Sequence, residues 1–436
     1  MKKRLIPVLI MLLLLVCVGA ANVSAADVTE KHVCEVCGGS AVSWQPLPQI
    51  TKNTTLAQGH YYVPEGGLSN TAQYTFNDNT TRCIDLNGNS ITSTTRVFHS
   101  TNNSRLNIFG EGTVTGNTAG GYETGSIALI NTGRIYAYGG TFSSPTGTPF
   151  YLNKKDYARL YLLSKVTVIG SSTAQESLAG AIHVVSGRLE MYGGTVTGGN
   201  GVNGGNIYVG EGRCYVDGTT ITGGKATNGG NIYIKGGVDF QILKGTVTKG
   251  TATGNGGNIY IAGATGGKYE MSKGTVSSGS AKNGGGFYLN AAELTLSGGT
   301  LTGNKATDGG SIYLASKGIV SMTGGTVTKG SSTDTGGNIY AASTSSTLNL
   351  SGGTVSAGTS KTNGGNIYFN NGNLNVTGGT VTGGKAVEGG NIYTRTGRTS
   401  ASNTATIGGE GNPVIASGTA STNGGNLFIE GMHRRQ

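Results

Sequence analysis

Tyrosine recurs at regular intervals through the second half of the chain, and its side chain is able to bind sugars. Each of these tyrosines follows Gly-Gly-Asn-Ile or a close variant, and the intervals are 25, 27, 28, 25, 27, 28 and 25 residues. Rings stacked in one column would form an aromatic strip, which suits the apolar C–H faces of sugars. Packing is the alternative, because neighbouring rings also stabilise half-buried strands. The candidate glycan-binding residues are Tyr208, Tyr233, Tyr260, Tyr288, Tyr313, Tyr340, Tyr368 and Tyr393.

Threonine and lysine form two further repeating patterns. Thr-x-Thr segments run from Ser90-Ile91-Thr92 to Thr380-Val381-Thr382, and such an array resembles the ice-binding face of antifreeze proteins. Thr is also a favourable residue of any exposed strand, which is the simpler interpretation. The lysines that follow these segments either attract anionic glycans or keep the protein soluble. They are Lys225, Lys249, Lys282, Lys305, Lys329, Lys361 and Lys385.

The cysteines indicate no complete metal site. Cys34-Glu-Val-Cys37 with His32 supplies half of a zinc site, and an oxidised pair is at least as good an interpretation in an exported protein. Cys83 has no identifiable partner, and Cys214 takes the place of an inward Leu as a buried free thiol. We therefore predict no cofactor and no metal, with Cys34 and Cys37 as the only candidate ligands.

Acidic residues are too sparse for a recognisable catalytic site, and no catalytic residue is predicted. The chain has eight Asp, and it lacks the Asp-Asp, Asn-Thr-Asp and His-Gly motifs of polysaccharide hydrolases. The paired carboxylates of a glycosidase lie about 5–9.5 Å apart, whereas Asp308 and Glu388 would be separated by about 14 Å. One irregular stretch offers another place for a site, and a solvated loop is the alternative there. Its residues are Glu123, Lys154, Lys155, Asp156 and Arg159.

The strands that would position these residues follow a period of two. Ile207-Tyr208-Val209 and its copies point their aliphatic side chains inward and Tyr outward. A second strand reads Leu-x-Leu, a third reads Thr-Val-Thr, and an Asn-Gly turn closes each unit. Equivalent lysines at 225, 305 and 385 lie 80 residues apart, so blocks of three units have been duplicated. The sequence predicts an all-β parallel β-helix (a solenoid) of about 13 coils, with three short strands per coil and apolar inward columns.

Composition and the N-terminus indicate a folded, exported protein. Glycine is abundant (80 of 436 residues) and charged residues are scarce (12%), which argues against disorder, and the net charge is +10. Lys2-Lys3-Arg4, an apolar run and Val23-Ser24-Ala25 are typical of a secretory signal peptide, and no later stretch is apolar enough to span a membrane. We divide the chain into a signal peptide (1–25), an N-terminal capping segment with Cys-x-x-Cys (26–70), the β-helix (71–430, with duplicated blocks from about 206) and an uncapped tail (431–436).

The repeats resemble those of known surface proteins. Gly-Gly-Asn-Ile-Tyr and Ser-Gly-Gly-Thr-Val-Thr are similar to repeats of secreted right-handed β-helix proteins of the pectin-lyase-like superfamily and to the Gly-Gly-x-Ile repeats of polymorphic outer-membrane adhesins. The stretch from Cys83 to Thr92 resembles the first coil of such proteins. The resemblance implies a right-handed helix and a secreted or cell-surface location, but this fold serves lyases, hydrolases, adhesins and inert rods.

These observations favour a non-catalytic, adhesin-like protein with a glycan-binding or scaffold role and no nucleic-acid partner. A polysaccharide lyase or glycoside hydrolase with its site in coils 96–190 is the alternative, and a structural rod or an ice-binding face is the third. The last coil begins at Gly424, and Leu427 and Ile429 would have nothing packed above them. We therefore expect either a fragment of a longer protein or end-to-end self-association.

Overall fold

The computed structural model describes residues 43–117, 125–154, 157–173, 179–263, 266–395 and 404–430. Within these ranges the regular elements are β-strands, and strands of successive coils pair in parallel. This arrangement is a parallel β-solenoid and confirms the predicted fold, with approximately the predicted numbers of coils and of strands per coil. The described residues include no helix that is long and apolar enough to cross a membrane.

Three columns of parallel strands surround the core, and we name each by its recurring residue. The Tyr sheet holds the Ile-Tyr-Ile strands, and it pairs Tyr208 with Tyr233 and Tyr233 with Tyr260. Its strands are Thr54–Thr55, Tyr74–Phe76, Phe98–Ser100, Ala128–Ile130, Phe150–Asn153, Ile182–Met191, Ile207–Val209, Ile232–Ile234, Ile259–Ala262, Phe287–Asn290, Ile312–Ala315, Ile339–Ala341, Ile367–Phe369, Ile392–Thr394 and Leu427–Ile429.

The Leu sheet comes next in each coil, and many of its strands continue into the third sheet. Strands confined to the Leu sheet are Trp44–Pro46, Gly59–Tyr62, Thr81–Asp85, Arg105–Phe109, Lys268–Met271, Glu293–Leu296, Ile319–Met322 and Thr347–Leu350. Strands that continue are Arg134–Ser143, Arg159–Ile169, Gly212–Thr222, Asp239–Thr248, Asn373–Thr382 and Ala405–Ala416. Ile182–Met191 instead runs from the Tyr sheet into the Leu sheet.

The Thr sheet completes the three predicted sides, and part of the solenoid has a fourth. Separate strands of the Thr sheet are Leu68–Asn70, Ser90–Ser93, Thr113–Gly116, Thr195–Thr197, Thr275–Ser277, Thr300–Thr302, Thr326–Thr328 and Thr354–Ser356. The fourth side, which the sequence did not predict, consists of two small sheets. Their strands are Asn200–Asn203, Lys225–Asn228 and Thr251–Asn255, and then Lys305–Ala306, Ser331–Ser332, Thr359–Ser360, Lys385–Glu388 and Thr419–Asn423.

The inward positions are apolar in most coils, as alternation predicts. Leu189, Cys214 and Phe240 are neighbours in one inward column and are fully buried. Cys214 is a free thiol there, as predicted, and burial raises its pKa. A continuous row of such contacts supplies the hydrophobic stabilisation of the rod.

Arg82 departs from the apolar inward column that the sequence predicted. It occupies the inward position beside Leu106, and its side chain is fully buried. Its guanidinium donates to the Leu56 carbonyl (2.8 Å) and to both carboxylate oxygens of Asp78. This ion pair holds the pKa of Asp78 well below its usual range. Hydrogen bonds and a paired charge therefore compensate the desolvation of an arginine inside the solenoid.

The Asn-Gly turns place the left-handed backbone conformation on glycine. Gly229 has φ +64° and Gly256 has φ +66°. A Cβ on Gly229 would collide with the carbonyl oxygen of Ile232. The turn therefore requires glycine for both its conformation and its lack of a side chain.

Inward asparagines form a second column, which we call the Asn ladder. Nδ2 of Asn206 donates to Oδ1 of Asn231, and Asn231 donates in the same way to Asn258, both at 2.8 Å. Each Oδ1 also accepts a corner backbone N–H, as Asn231 does from Gly224 (2.9 Å). The amides therefore satisfy polar groups that burial would otherwise leave unpaired. The ladder comprises Asn206, Asn231, Asn258, Asn304, Asn338, Asn366, Asn391 and Asn426, of which all but Asn426 are buried.

Two successive coils lack the expected ladder residue and have Gly286 and Ser311 instead. Asn304, from the corner of the coil that begins at Gly286, fills one gap: its Oδ1 accepts the N–H of Gly279 (2.9 Å) and lies 3.3 Å from Nδ2 of Asn258. The Ser311 hydroxyl is buried and has no hydrogen-bond partner. A ladder position can therefore be filled from either of two segments of the chain.

Candidate functional site

The eight candidate tyrosines form one continuous stack, which we call the Tyr column. Neighbouring ring centroids lie 4.9 to 5.5 Å apart, and the interplanar angles are 5° to 27°. Parallel pairing in register causes this geometry, because it places each outward Tyr directly beside the Tyr of the next coil. The structure thus brings together all the residues singled out by their spacing.

The stack continues past the eight candidate tyrosines at both ends. His183 lies 4.5 Å from Tyr208, Tyr151 lies 5.2 Å from His183, and Phe428 lies 5.1 Å from Tyr393, as ring centroids. Sequence reasoning did not include Tyr151 and His183 because they belong to irregularly spaced coils. The signal that could have found them is their place between two apolar residues in Phe-Tyr-Leu and Ile-His-Val.

His183 is the one ring of this stack that can carry a positive charge. The backbone N–H of Ala179 donates to its Nδ1 (3.2 Å), so protonation of Nδ1 would break this bond. Burial lowers the pKa of His183 to about 4. The imidazole is therefore neutral at physiological pH and packs like the other rings.

Stacking decides which surface the Tyr column offers to a ligand. Each interior ring has both faces covered by its neighbours, so ring edges and phenol hydroxyls remain for contact. Tyr368 and Tyr393 are only 7% and 4% exposed. Burial also raises the pKa of Tyr233 and of Tyr288 to about 12, so these hydroxyls are protonated at neutral pH. The interior of the column can make hydrogen bonds and edge contacts, whereas face-on stacking of a sugar requires an end ring.

The Thr sheet presents two outward columns in register. Thr275 pairs with Thr300, and Thr300 pairs with Thr326. Some hydroxyls bond along the column, as between Ser356 and Thr328 (2.9 Å). The predicted Thr-x-Thr array is therefore present as a surface of hydroxyl and methyl groups.

A column of arginines, which we call the Arg ladder, runs along the first outward position of the Leu sheet. Backbone register pairs each member with the next one. Sequence reasoning missed this column because the intervals of 29, 25, 29 and 25 residues fall in loosely aligned coils. The signal that could have found the column is the repeated occurrence of an Arg directly before an inward-facing strand residue. The Arg ladder comprises Arg105, Arg134, Arg159, Arg188 and Arg213.

A groove of about 460 Å³ lies against the middle of the Arg ladder. Its lining residues are Asn79, Asn103, Arg134, Tyr157, Arg159 and Arg188. Tyr157 is 53% exposed. Unlike the rings of the Tyr column, this side chain leaves a large surface open to a ligand.

Aromatic and acidic side chains flank the two ends of the Arg ladder. The Arg105 guanidinium lies 4.3 Å from the ring centroid of Tyr136. At the other end, Nε of Arg213 lies 3.4 Å from Oδ2 of Asp239, and Nη1 of Arg213 lies 3.9 Å from Oε1 of Glu190. Charge at Arg213 is therefore neutralised locally.

Many of the remaining predicted site residues lie outside the described residues, and Cys83 has a structural role. Cys34, Cys37 and His32 lie outside the described residues, as do Glu123, Lys155 and Asp156. Cys83 is disulfide-bonded, so the expectation that it has no partner is wrong, and the second cysteine lies outside the described ranges. Across the described ranges, no three His, Cys, Asp or Glu side chains are grouped in a way that could hold a metal ion.

Comparison with known proteins identifies no relative of this chain. No protein-family model matches the sequence, and no curated protein and no solved structure matches it significantly.

Proposed function

We propose that the protein is a secreted or cell-surface, non-catalytic scaffold that binds a glycan chain along its Tyr column. The observation that supports this proposal is the uninterrupted stack of rings, from Tyr151 to Phe428, on one side of a parallel β-solenoid. The adhesin-like repeats and the signal peptide predicted at 1–25 favour the same role. The scaffold positions a regular row of phenol groups, and the glycan supplies a regular row of hydroxyls.

Rigidity makes this surface suitable for binding. The rings are held by their neighbours at about 5 Å intervals, so little side-chain entropy is lost when a ligand binds. The protonated phenol groups donate and accept hydrogen bonds, and the ring edges provide apolar contact. An extended polysaccharide can follow the solenoid axis and repeat the same contact in successive coils, and multiple weak contacts then add to a useful affinity.

The test is a glycan array probed with the mature chain and with two triple variants. Tyr260→Phe/Tyr288→Phe/Tyr313→Phe removes three hydroxyls and keeps the ring stack, so we expect binding to fall about tenfold or more while the melting temperature changes little. Thr275→Val/Thr300→Val/Thr326→Val removes three hydroxyls from the Thr sheet of neighbouring coils and should leave glycan binding unchanged.

Three outcomes would contradict the proposal. Turnover of a bound polysaccharide would favour a lyase or hydrolase of the pectin-lyase-like superfamily. Absence of binding on the array would favour a structural rod. Loss of binding in the Thr variant alone would move the site to the Thr-x-Thr face.

A further inference from the structure

Equivalent residues of the duplicated blocks lie 80 residues apart, so their copies can be compared position by position. Asn231 and Asn391 belong to the Asn ladder, and the equivalent residue of the copy between them is Ser311. The surrounding pattern is unchanged, since Gly-Gly precedes and Ile-Tyr follows this residue in all three copies. The middle copy therefore differs from the other two at a buried position where they make hydrogen bonds.

Ser311 makes none of the side-chain hydrogen bonds that its two counterparts make. Asn231 accepts the N–H of Gly224, and Asn391 accepts the N–H of Gly384, both at 2.9 Å. Each of these amides also donates from Nδ2 to the next member of the Asn ladder. The Ser311 hydroxyl is fully buried and has no hydrogen-bond partner. The middle copy thus loses these bonds and also pays for an unpaired buried hydroxyl.

The Asn ladder consequently consists of two separate runs. The first run ends at Asn304, whose Nδ2 donates backward to the Val276 carbonyl (3.2 Å). The second run begins at Asn338, whose Oδ1 accepts the N–H of Gly330 (2.8 Å). Among the described residues, no side-chain hydrogen bond joins Asn304 to Asn338. The interface between the coil of Ser311 and the coil of Asn338 therefore lacks the amide–amide bond that joins neighbouring coils within each run.

Two further irregularities lie in the same part of the rod. The rings of Tyr313 and Tyr340, on either side of this interface, are tilted by 27°, which is the largest angle between neighbours of the Tyr column. The fourth side is interrupted at Ser280 and Asn283, which pair with the neighbouring coils only by single bridges. Three regular features of the solenoid therefore weaken between residues 280 and 340.

The apolar core and the backbone ladder do not share this interruption. Ile312 and Leu314 are fully buried. The Ile312 N–H donates to the Asn338 carbonyl (2.8 Å), just as the Ile232 N–H donates to the carbonyl of the next ladder residue (2.9 Å). The interface is therefore weakened through its side chains, while its strands remain paired in the native state.

We propose that the interface between the coil of Ser311 and the coil of Asn338 is a weak interface, at which the solenoid opens before the regular coils around it do. Each coil of a solenoid interacts chiefly with its two neighbours, so a deficit at one interface stays local. Opening there separates Tyr313 from Tyr340 and leaves folded, stacked coils on both sides. The rod thus yields at one place inside the duplicated blocks, whether or not the Tyr column binds a glycan.

Native-state hydrogen exchange of the full mature chain tests this weak interface. The N–H groups of Ile312 and Ile232 make equivalent bonds in nearly identical sequence, so they form a matched pair. Where exchange follows the opening equilibrium, Ile312 should exchange about tenfold or more faster than Ile232. Opening that proceeds inward from the C-terminal coils would instead expose Ile392 before Ile312.

A reciprocal exchange of side chains isolates the contribution of the Asn ladder. Ser311→Asn supplies the amide that both equivalent positions have, so it should slow exchange at Ile312 about tenfold and leave Ile232 unchanged. Asn231→Ser creates the same deficit in the preceding copy, so it should accelerate exchange at Ile232 about tenfold and leave Ile312 unchanged. The second variant keeps the test decisive if the first one folds poorly.

Limited proteolysis provides an independent measurement. Lys249 and Lys329 lie 80 residues apart in identical Val-Thr-Lys-Gly segments, and both are exposed, with φ values of 56° and 54°. Trypsin requires local opening to cleave at either lysine. Cleavage after Lys329 should therefore be about tenfold faster than cleavage after Lys249, and Ser311→Asn should remove this preference.

Equal exchange at Ile312 and Ile232 in the wild type, or equal cleavage after the two lysines, would overturn the weak interface. Unchanged exchange at Ile312 in Ser311→Asn and at Ile232 in Asn231→Ser would also overturn it, because the Asn ladder would then not control opening. Neither measurement involves a glycan, so failure of this inference is distinguishable from failure of the binding proposed for the Tyr column.

Discussion

The coils before residue 200 and the coils after it share the same three sheets, yet they fill one inward position in different ways. From residue 206 onward, the residue before most Tyr-sheet strands is an Asn of the Asn ladder. In three of the earlier coils the same position holds Val97, Ile127 and Ala181, which are fully buried. The later coils therefore use repeated hydrogen bonds where the earlier coils use apolar packing.

This difference shows that the later coils of the solenoid are regular repeats, whereas the earlier coils contain individual features. Where coil lengths recur, identical side chains meet and form ladders. Where coil lengths vary, the chain builds a groove, a buried Arg82 and the Arg ladder. Three predictions test this comparison.

The largest expected effect comes from breaking the Asn ladder. Asn231→Ala removes the acceptor of the buried Gly224 N–H and of Asn206 Nδ2, and the donor to the Thr248 carbonyl. Because buried groups are then unpaired, the free energy of unfolding should fall by about 3–5 kcal/mol. Urea denaturation measures this change.

The neighbouring turn supplies the matched control for that variant. Asn228 is only half-buried and makes long bonds to Asn203 (3.2 Å) and from Asn255 (3.3 Å). Asn228→Ala should therefore cost no more than about 1 kcal/mol. Equal losses of unfolding free energy in the two variants would contradict a special contribution of the Asn ladder to the stability of the later coils.

A smaller effect is expected at His183, and it depends on pH. The pKa of His183 is lowered from 6.5 to about 4 in the folded protein. Between these pH values the unfolded chain binds the proton and the folded chain does not. The contribution of neutral His183 to the free energy of unfolding is therefore fully present above pH 6.5 and is lost as the pH falls toward 4. The total loss should approach about 3 kcal/mol.

His183→Phe isolates this contribution, because it keeps a ring between Tyr151 and Tyr208 and cannot be protonated. The variant has a lower baseline stability, since the Ala179 N–H loses its acceptor. Its stability should nevertheless depend less on pH than that of the wild type over the same interval. His60 and His99 also have lowered pKa values and remain in both proteins. Unchanged pH dependence in the variant would contradict the burial of a neutral imidazole.

The smallest expected effect is a coupling between Gly286 and Asn304. Asn304→Gly leaves the Gly279 N–H unpaired, and Gly286→Asn places a Cβ 2.6 Å from the Ser311 carbonyl oxygen and 3.1 Å from the amide nitrogen of Asn304. Each single variant should lose about 2 kcal/mol of unfolding free energy. The double variant removes the conflict with the Asn304 amide but keeps the contact with Ser311, so its loss should be smaller than the sum of the two single losses by about 1 kcal/mol or more. Additive losses in a double-mutant cycle would show that Asn304 does not replace the missing ladder residue.

The fold could be predicted from the sequence because a period of two and recurring intervals fix both the strands and their register. The stacked Tyr column followed from the same intervals. The Arg ladder could not be found in this way, because loops of variable length separate Arg134, Arg159 and Arg188. The role of Asn304 was also missed. Equivalent corners of the other coils have Gly at this position, and the change to Asn can be interpreted only when the structure shows that Gly286 leaves a ladder position without a side chain. Sequence patterns therefore predicted the repeated surfaces, and three-dimensional register was needed for the irregular one.

The duplicated block has a consequence for the reach of the molecule. Each block adds 80 residues and three coils, which corresponds to about 14 Å along the axis. The cross-section stays the same, since the added coils repeat the contacts of the existing ones. Gain or loss of a block would therefore change the distance that the rod spans in steps of fixed size, while the groove in the earlier coils would keep its shape. The length of the rod therefore depends on the number of blocks in the sequence, whereas the shape of the groove does not.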